Sequence, residues 1–412
     1  MMEFKQYKED ATLQRLIPEV ADGFIYNQMQ EYHSLTLDNT FLKYRYPHSV
    51  FAEAERGVIY KVEVLVKALS KLEQAFLFTG RKQLRDVISL DKGESNRGTY
   101  YQTVTEIIPD FQTESYEASH LFVTVCAKHG EEVATECQAT KTIAPVLFLG
   151  GDSTVTDQAA PLPYLPGVSY TSYGQSITAY LTNPIAVENH AHSGLTTETF
   201  IQSGHWDLVM KWIKEEDFCL LQFGHNDQKQ AHLMAGTGYR ENLQRFVTWV
   251  KEKGARPVLV TPFGRNTWNR DGSYNDLLSE YNEAVLELGV ENNVPVIPLH
   301  QRSIEFYKRI GCEAAKAYFM PDDYTHTNEF GSYLAAGWVA DELSKFFPEE
   351  IIIRPNVPIL EPGVTSWNDY TSGTRVTSVN EDGESAGFHQ METAIEDLVR
   401  TIEQVKVEAQ NL

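Results

Sequence analysis

The sequence predicts an α/β protein in which a three-layer α/β/α body with a parallel sheet follows a small β-sandwich. Two observations carry this prediction. Residues 58–66 alternate apolar and polar side chains, which is typical of a half-buried strand. After residue 145, short apolar runs alternate with helical periods. Short unpatterned strands separated by helices indicate a parallel sheet that is covered on both faces.

The first 140 residues are predicted to form a β-rich domain. Besides 58–66, the segments 74–78, 98–108 and 121–127 have the composition of strands and are separated by polar turns. Several short strands of this kind are typical of a β-sandwich. We therefore expect a sandwich over 1–140. It either buttresses the rest of the chain or binds carbohydrate.

Residues 141–354 are predicted to form the α/β body. Its strands are expected at the apolar runs 146–149, 187–191, 218–223, 257–261 and 294–299. Leu243, Phe246, Val247 and Val250 follow a helical period, and Gly254 is placed to end that helix. Because ligands on such sheets bind at the carboxyl ends of the strands, we expect chemistry there.

Residues 355–412 are predicted to be a C-terminal extension that ends in a helix. An apolar stripe with alternating spacings of four and three residues runs along that helix; its members are Met391, Ile395, Leu398, Ile402 and Val405. Two heptads are short for a coiled coil. We therefore expect the stripe to pack on the body, with contact to a partner helix in a homo-oligomer as the alternative.

Composition excludes several classes of partner. Of the 412 residues, 35 are basic and 57 acidic, so the net charge is −22, which repels nucleic acid and anionic lipid. No stretch approaches the length of a membrane span. The first ten residues lack the apolar region of a secretory signal. We expect a cytoplasmic protein without nucleic-acid or membrane partners.

Four cysteines lie far apart in the sequence and form no CxxC pair; they are Cys126, Cys137, Cys219 and Cys312. Such sparse cysteines are typical of reduced thiols in a cytoplasmic protein. We predict that all four are reduced and buried.

The first chemically informative segment is Gly-Gly-Asp-Ser-Thr at 150–154, directly after an apolar run. A serine at a tight strand-to-helix turn exposes its hydroxyl, and a helix N-terminus supplies partial positive charge where an oxyanion would form. Ser153 is therefore a candidate nucleophile. The alternative is an ordinary helix N-cap.

Two further segments follow the next apolar runs. Residues 189–194 contain Gly194, whose backbone amide can approach a ligand closely. His190 and His192 in the same segment have no acidic or cysteine partner at a recognised spacing, so no metal site is predicted. Residues 224–227 contain Asn226, a neutral donor suited to an oxyanion hole, or alternatively the side chain of an Asx-turn.

The fourth segment is Asp-Tyr-Thr-His at 323–326, just before a helix expected near Asn328. Asp323 lies three residues ahead of His326 and can accept a hydrogen bond from its Nδ1. The Nε2 atom is then free to take a proton from a serine. The alternative is an acidic helix cap beside a surface histidine.

Taken together, the four segments resemble the motif set of the SGNH (GDSL-type) hydrolase superfamily. The chain is most similar to its rhamnogalacturonan acetylesterase group, over roughly residues 145–346. The matching segments are LFLGGDSTVTDQ at 147–158, Tyr-Gly-Gln at 173–175, FGHNDQ at 223–228, TPFGRNTW at 261–268 and DDYTHTNEFG at 322–331. Some members of the superfamily also carry an N-terminal β-sandwich.

The resemblance implies a flavodoxin-like fold and a two-step acyl transfer through an acyl-serine. Ser153 would be the nucleophile, and His326, oriented by Asp323, would be first general base and then general acid. The amides of Ser153 and Gly194 and the side chain of Asn226 would form the oxyanion hole. This chemistry needs neither a metal nor an organic cofactor.

Three further residues are candidates for substrate binding: Asp152, His225 and Arg265. The second block reads Gly-Leu-Thr at 194–196, where members of the group often have Gly-Arg-Ser. Recognition of a uronate would therefore need another cation, Arg265 or Arg270. The alternative for these two arginines is a surface or interdomain salt bridge.

The predicted function is removal of O-acetyl groups from oligosaccharides derived from the plant cell wall, of pectic or xylan type. Without a secretory signal, imported fragments are the expected substrates rather than the intact polymer. One alternative is a lipid- or thioester-directed acyl hydrolase, which would need a wide apolar groove. The other is a non-catalytic carbohydrate-binding protein, which would not be expected to keep all four motif residues.

Overall fold

The computed structural model describes residues 2–6, 45–110, 113–158, 164, 166–167, 169–358, 360–362 and 386–410. The strands before residue 143 are β1 (Met2–Glu3), β2 (Lys5–Gln6), β3 (Arg45–Glu53), β4 (Ile59–Ala68), β5 (Leu72–Thr79), β6 (Gln83–Leu90), β7 (Ser95–Thr103), β8 (Glu106–Ile107), β9 (Tyr116–Glu117), β10 (His120–Lys128) and β11 (Val133–Thr142).

These strands form a β-sandwich, as predicted. One antiparallel sheet has the order β1-β11-β4-β7 and the other the order β2-β3-β10-β5-β6. Alternate side chains of β4, among them Val62 and Val64, pack in one core with Leu77 and Val123 of the second sheet. The apolar side chains that recur at every second position of β4 therefore lie on the face that packs against the opposite sheet.

One predicted strand is wrong in its extent. The segment 98–108 is divided in the structure, because the chain pairs with β4 only as far as Thr103. Residues Glu106–Ile107 then pair with Tyr116–Glu117 in a separate two-stranded ribbon. Composition alone indicates extended backbone here, but it does not indicate the change of partner strand.

The second half of the chain is built on a parallel sheet. Its strands are β12 (Val146–Gly151), β13 (Ala186–Asn189), β14 (Phe218–Gln222), β15 (Arg256–Val260) and β16 (Val296–Ile297). They lie in the order β13-β12-β14-β15-β16. This is the flavodoxin-like order, in which the chain reverses direction across the sheet between the first and third strands and ligands bind at that crevice.

Helices cover both faces of this sheet. They are α1 (Tyr173–Ser176), α2 (Thr197–Gln202), α3 (His205–Trp212), α4 (Arg240–Glu252), α5 (Ser279–Asn292), α6 (Leu299–Ile310), α7 (Cys312–Ala315), α8 (Glu329–Phe346) and the terminal α9 (Ala386–Ala409). Short 3-10 turns occupy Ile177–Ala179, Asp227–Lys229, Ala231–Leu233 and Lys316–Tyr318, and a π-turn occupies Ala235–Tyr239.

The two faces of β12 point into separate cores. Phe148 packs with Phe200 of α2 and Phe246 of α4, whereas Leu149 packs with Tyr307 of α6 and Val339 of α8. Every residue of β12 is buried. A strand covered on both faces has no polar side to show, which explains the unbroken apolar run in the sequence.

The sandwich packs directly against the α/β body. Phe76 and Phe78 of β5 share an apolar cluster with Phe330 and Tyr333 of α8. Polar contacts cross the same boundary, including the ion pair of Arg354 and Asp86 at 2.9 Å. Such contacts would allow the sandwich to support the α/β body. The division of the chain at residues 140 and 354 stays a prediction.

The four cysteines are free. Cys126 and Cys219 are buried as predicted, but Cys137 and Cys312 are only partly buried. Cys137 lies on β11, where side chains alternate between core and solvent, and Cys312 opens the short helix α7. Within the described ranges, no helix is long and apolar enough to span a bilayer.

Candidate active site

Ser153 lies in the turn that follows β12. The turn is closed by hydrogen bonds from the amides of Val155 and Thr156 to the carbonyl oxygen of Asp152, at 3.0 and 3.1 Å. A Cβ at Gly151 would lie only 2.7 Å from the carbonyl oxygen of Gln222, so glycine is required for the strands to approach. The sheet edge thus holds Ser153 at the crevice between β12 and β14.

The predicted strand-to-helix turn is wrong in one respect. Residues 152–156 form a turn, and 157–158 continue without helix. The first helix described after β12 is α1 at Tyr173–Ser176, and it has only four residues. Backbone amides of the turn, rather than the dipole of a helix beginning at Ser153, are the groups available to an oxyanion.

Ser153, His326 and Asp323 form a continuous hydrogen-bonded chain. Ser153 Oγ lies 2.9 Å from His326 Nε2, and His326 Nδ1 lies 2.8 Å from Asp323 Oδ2. Because the carboxylate accepts the Nδ1 proton, Nε2 is left as the acceptor for the serine hydroxyl. Ser153 and His326 are 173 positions apart in the sequence, and the fold brings their side chains together.

The loop that carries Asp323 is locked from within. Asp323 Oδ1 accepts hydrogen bonds from the amides of Thr325 and His326 at 2.7 and 2.9 Å. Burial alone would raise the pKa of Asp323, but the hydrogen bond and charge of His326, with these amides, hold it below its ordinary value. Helix α8 begins at Glu329, capped by Asn328, as the sequence predicts.

Gly194 and Asn226 line the same cavity as Ser153. Gly194 has φ +82°, a left-handed conformation that favours glycine, and a Cβ placed there would meet no atom of the described residues within 4 Å. Asn226 Nδ2 donates to the carbonyl oxygen of Leu195 at 3.0 Å, and its Oδ1 accepts from Lys229 Nζ at 3.3 Å. The amide group therefore has a fixed orientation, with its second N–H left for a ligand.

Asp152 does not contact the cavity, which corrects its assignment as a substrate-binding residue. Its side chain is completely buried. Oδ1 accepts from the amide and hydroxyl of Thr154 at 2.9 and 2.8 Å. Although burial alone would raise the pKa of Asp152, His225 and Thr154 hold it below the ordinary value. Through these hydrogen bonds to Thr154, the carboxylate stabilises the turn that carries Ser153.

His225 fills the space between Asp152 and the neighbouring strand end. Its Nε2 lies 2.8 Å from the carbonyl oxygen of Phe263 and must donate to it. Its Nδ1 lies 3.3 Å from Asp152 Oδ2, and burial lowers the pKa of His225 although the charge of that carboxylate opposes the shift. With both ring nitrogens occupied and 2% of its surface exposed, His225 forms the floor of the cavity.

Arg265 lines the cavity but is largely enclosed, with 3% of its surface exposed, so its role in substrate binding stays a prediction. Its Nε donates to Thr325 Oγ1 at 3.0 Å, and one terminal nitrogen donates to the carbonyl oxygen of His225 at 3.3 Å. The other, Nη1, is buried without a hydrogen-bond partner in the described part of the chain. Burial lowers the pKa of Arg265 to about 10. It ties the 225 loop to the loop of Asp323 and His326.

The other arginine considered for uronate binding, Arg270, forms a salt bridge instead. Its guanidinium lies 2.5 Å from Glu396 Oε1 on α9.

The two histidines of the HxH pair have different surroundings. His190 is buried, whereas His192 Nδ1 lies 3.0 Å from the carbonyl oxygen of Ser193. Among the described residues, no group of three metal-ligating side chains comes together.

The cavity around Ser153 has a volume of about 400 Å³ and is lined mostly by polar residues. The lining comprises Ser153, Ser193, Gly194, His225, Asn226, Lys229, Arg265, Asp322, Asp323, Tyr324, Thr325, His326 and Leu398. Among these described residues Leu398 is the only aliphatic side chain. The polar character matches a hydroxyl-rich ligand better than a hydrocarbon chain.

Sequence reasoning missed three residues at this site. Lys229 and Leu398 line the cavity, and Tyr170, which is 43% exposed, places its ring edge-on to His326 with the centroids 5.8 Å apart. Tyr170 lies outside the four motif segments, so no motif marks it. Lys229 and Leu398 also belong to none of the four motif segments.

Three comparisons place the chain among known proteins. The model of the GDSL-like Lipase/Acylhydrolase family matches residues 150–334. The probable rhamnogalacturonan acetylesterase YesY of Bacillus subtilis is 30% identical over 202 residues, which cover 47% of this chain and 90% of the relative. The crystal structure of YxiM from the same organism aligns with 74% of this chain and 82% of its own, with a TM-score of 0.47 and 21% identity.

The rhamnogalacturonan acetylesterase RhgT of Bacillus subtilis is 32% identical over 215 residues. The match takes in 48% of this chain and 89% of the relative. The sandwich and α9 fall outside the segment that the family model matches. The chain belongs to the GDSL-like lipase/acylhydrolase family, the SGNH hydrolases, close to the rhamnogalacturonan acetylesterase group.

Proposed function

We propose that this protein is a serine carboxylic ester hydrolase that removes O-acetyl groups from acetylated oligosaccharides of the plant cell wall. The observation that carries the proposal is the 2.9 Å contact between Ser153 Oγ and His326 Nε2, at the floor of a polar cavity. A hydroxyl bonded to a neutral imidazole is an activated nucleophile.

The first half of the reaction forms an acetyl-enzyme. Ser153 Oγ attacks the acetyl carbonyl carbon while its proton moves to His326 Nε2. The carbonyl oxygen becomes an oxyanion, which accepts hydrogen bonds from the amides of Ser153 and Gly194 and from Asn226 Nδ2. When the intermediate collapses, the ester C–O bond breaks and the sugar oxygen takes the proton from Nε2.

Water completes the cycle. It gives a proton to His326 Nε2 as its oxygen attacks the acetyl carbon, and a second oxyanion forms at the same donors. Collapse breaks the bond to Ser153 Oγ, which recovers its proton from Nε2, and acetic acid leaves and ionises to acetate in solution. Asp323 keeps the Nδ1 proton in place throughout and stabilises the imidazolium that forms in each half. All atoms are supplied by the ester, water and these side chains.

The surroundings favour an acetylated sugar of the pectic type. RhgT and YesY, the two relatives above, bear the name rhamnogalacturonan acetylesterase. The exposed ring of Tyr170 offers an apolar face for a sugar beside His326. Lys229 is exposed at the cavity with Nζ 3.3 Å from Asn226 Oδ1, so its charge is available to a uronate carboxylate.

Acetate release from a substrate panel tests this function. Wild type and Ser153→Ala would be compared on acetylated pectic and acetylated xylan oligosaccharides and on a medium-chain acyl ester. Ser203→Ala, at an exposed serine after α2, is the matched control. We expect Ser153→Ala to lower kcat by about 10⁴-fold or more.

The control should retain wild-type kcat, and the pectic substrates should be the best. Preference for xylan oligosaccharides would change the substrate class, and preference for the medium-chain ester would move the enzyme to the lipid- or thioester-directed class. Hydrolysis that survives in Ser153→Ala would exclude Ser153 as the nucleophile.

A further inference from the structure

Helix α9 lies outside the segment 150–334 matched by the family model, yet it reaches the cavity of Ser153. Leu398 on this helix lines the cavity together with His326. One turn earlier, the carbonyl oxygen of Ala394 accepts a hydrogen bond from Tyr324 Oη at 3.4 Å. The helix therefore supplies part of the cavity wall.

The helix is held against the body on either side of Leu398. Ile402 and Val405 are each 8% exposed, and Lys406 Nζ lies 2.7 Å from Glu280 Oε1. On the other side, Glu396 pairs with Arg270. Exposed ion pairs contribute little to stability. The buried side chains of Ile402 and Val405 therefore carry most of the docking.

The underside of α9 is only partly filled. A second cavity of about 220 Å³ lies between part of the helix and the body, with Met234, Tyr281 and Ile402 in its lining. The helix thus touches the catalytic body through separate contacts rather than through a continuous core. Substitutions on α9 can therefore change its position without emptying the two cores that flank the parallel sheet.

The placement of Leu398 limits the room for substrate. An aliphatic side chain in a polar lining offers no hydrogen bond to a sugar hydroxyl, so its effect on a glycan is steric and apolar. The cavity of about 400 Å³ is at the lower end of the roughly 300–1,000 Å³ of small-molecule sites. A polysaccharide bound through its middle needs a groove that continues on both sides.

We propose that α9 is an end wall of the substrate cleft and that Leu398 is its specificity-determining residue. The wall makes short oligosaccharides and chain ends the substrates, and it excludes internal acetyl groups of the polymer. This inference rests on the proposed function and adds the size class of the substrate. It assigns to the C-terminal extension a task in the active site.

The test measures kcat/KM for acetate release from acetylated pectic fragments of increasing length, from the dimer to the polymer. Leu398→Ala opens the wall, and Ile402→Asp undocks the helix by burying a charge. Val407→Ala is the matched control, because Val407 lies on the same helix and is 59% exposed. Hydrolysis of 4-nitrophenyl acetate, which is too small to meet the wall, monitors the chemistry in every variant.

For wild type and Val407→Ala, we expect kcat/KM to fall steeply with substrate length. In Leu398→Ala and Ile402→Asp the ratio of polymer to dimer kcat/KM should rise by about tenfold over wild type, each value being divided by that variant's own rate on 4-nitrophenyl acetate. If both variants keep the wild-type preference for short substrates, the proposal that α9 is an end wall is wrong. Absence of acetate release from every substrate by the wild type would instead overturn the proposed function and, with it, this inference.

Discussion

The carboxylate of Asp110 accepts two hydrogen bonds from Ser193, one from the amide at 2.8 Å and one from Oγ at 3.0 Å. Asp110 precedes the parallel sheet and is buried. Ser193 immediately precedes Gly194, whose amide is a proposed oxyanion donor. A residue outside the segment matched by the family model thus fixes the loop that carries this donor.

We expect Asp110→Ala to act on catalysis through the position of Gly194. Small displacements of a reacting group cost up to about 100-fold in rate, so kcat should fall by about 10- to 100-fold with little change in KM. Asp86→Ala is the matched control, because it breaks the contact with Arg354 at the same boundary but away from the cavity. Equal effects of both substitutions on kcat would show a general structural defect instead.

Asn226→Ala tests the side-chain donor of the oxyanion hole. The fixed amide of Asn226 should stabilise charge that exists only in the transition state, so its loss should lower kcat by about 10²–10³-fold and leave KM nearly unchanged. Gln230→Ala, an exposed neighbour, provides the control. An unchanged kcat in Asn226→Ala would remove this residue from the oxyanion hole.

Acid pH should stop the reaction through His326 rather than through Asp323. The pKa of Asp323 is held below its ordinary value of 3.8, so the carboxylate stays ionised as the solution is acidified. Stability from this lowered pKa is fully present above pH 3.8 and is lost only as the pH falls through the folded-state value. An imidazolium at His326, in contrast, cannot accept the serine proton.

The measurement is kcat/KM against pH, with circular dichroism recorded at each point. We expect activity to fall toward acid pH with a single protonation while the spectrum stays native. Asp323→Asn should lower kcat by about 10⁴-fold at neutral pH, because the histidine tautomer is no longer fixed. A kcat/KM that does not fall on the acid side while the protein stays folded would rule out His326 as the general base.

Arg265→Met should separate activity from stability. The guanidinium joins Thr325 to the carbonyl of His225, but its Nη1 is buried without a partner in the described chain. Removing a buried charge that is incompletely hydrogen-bonded can be neutral or stabilising. We therefore expect kcat to fall by about tenfold or more while Tm is unchanged or higher.

Thr325→Val removes the acceptor of Arg265 Nε and leaves the guanidinium in place, so it makes a useful comparison. It should reduce both kcat and Tm, because a buried donor loses its partner. A large loss of Tm in Arg265→Met would show that the arginine stabilises the fold more than it positions the two loops.

The core of the site could be predicted because its chemistry is local. Asp323 and His326 are three residues apart, and Ser153 follows a strand that the apolar run at 146–149 already marks. The strand order then places Ser153 and Asn226 at neighbouring strand ends. The prediction of a helix beginning at Ser153 was wrong because a serine after a buried strand fits a tight turn as well as a helix N-terminus. Only tertiary packing decides between the turn and the helix.

The remaining contributions are long-range and leave no mark on the local sequence. The stripe on α9 indicates an apolar face, and Ile402 and Val405 of that stripe are buried. The side chain of Met391 lies outside those that the structure describes. Periodicity cannot say that Leu398 of the same stripe meets a catalytic cavity. Asp110 and Ser193 are separated by 83 positions, and no spacing rule joins them.

The polar contacts between the sandwich and the body imply that the two melt together. Arg81 donates to Asp157 at 3.1 Å and to the carbonyl of Asn189 at 2.6 Å. The side chain of Asp157 is only 3% exposed. Unfolding the sandwich alone would therefore leave a buried carboxylate without its counter-ion. Calorimetry should therefore record one cooperative transition, and the sandwich could not be exchanged for another module without also replacing the ion pairs that it shares with the catalytic loops.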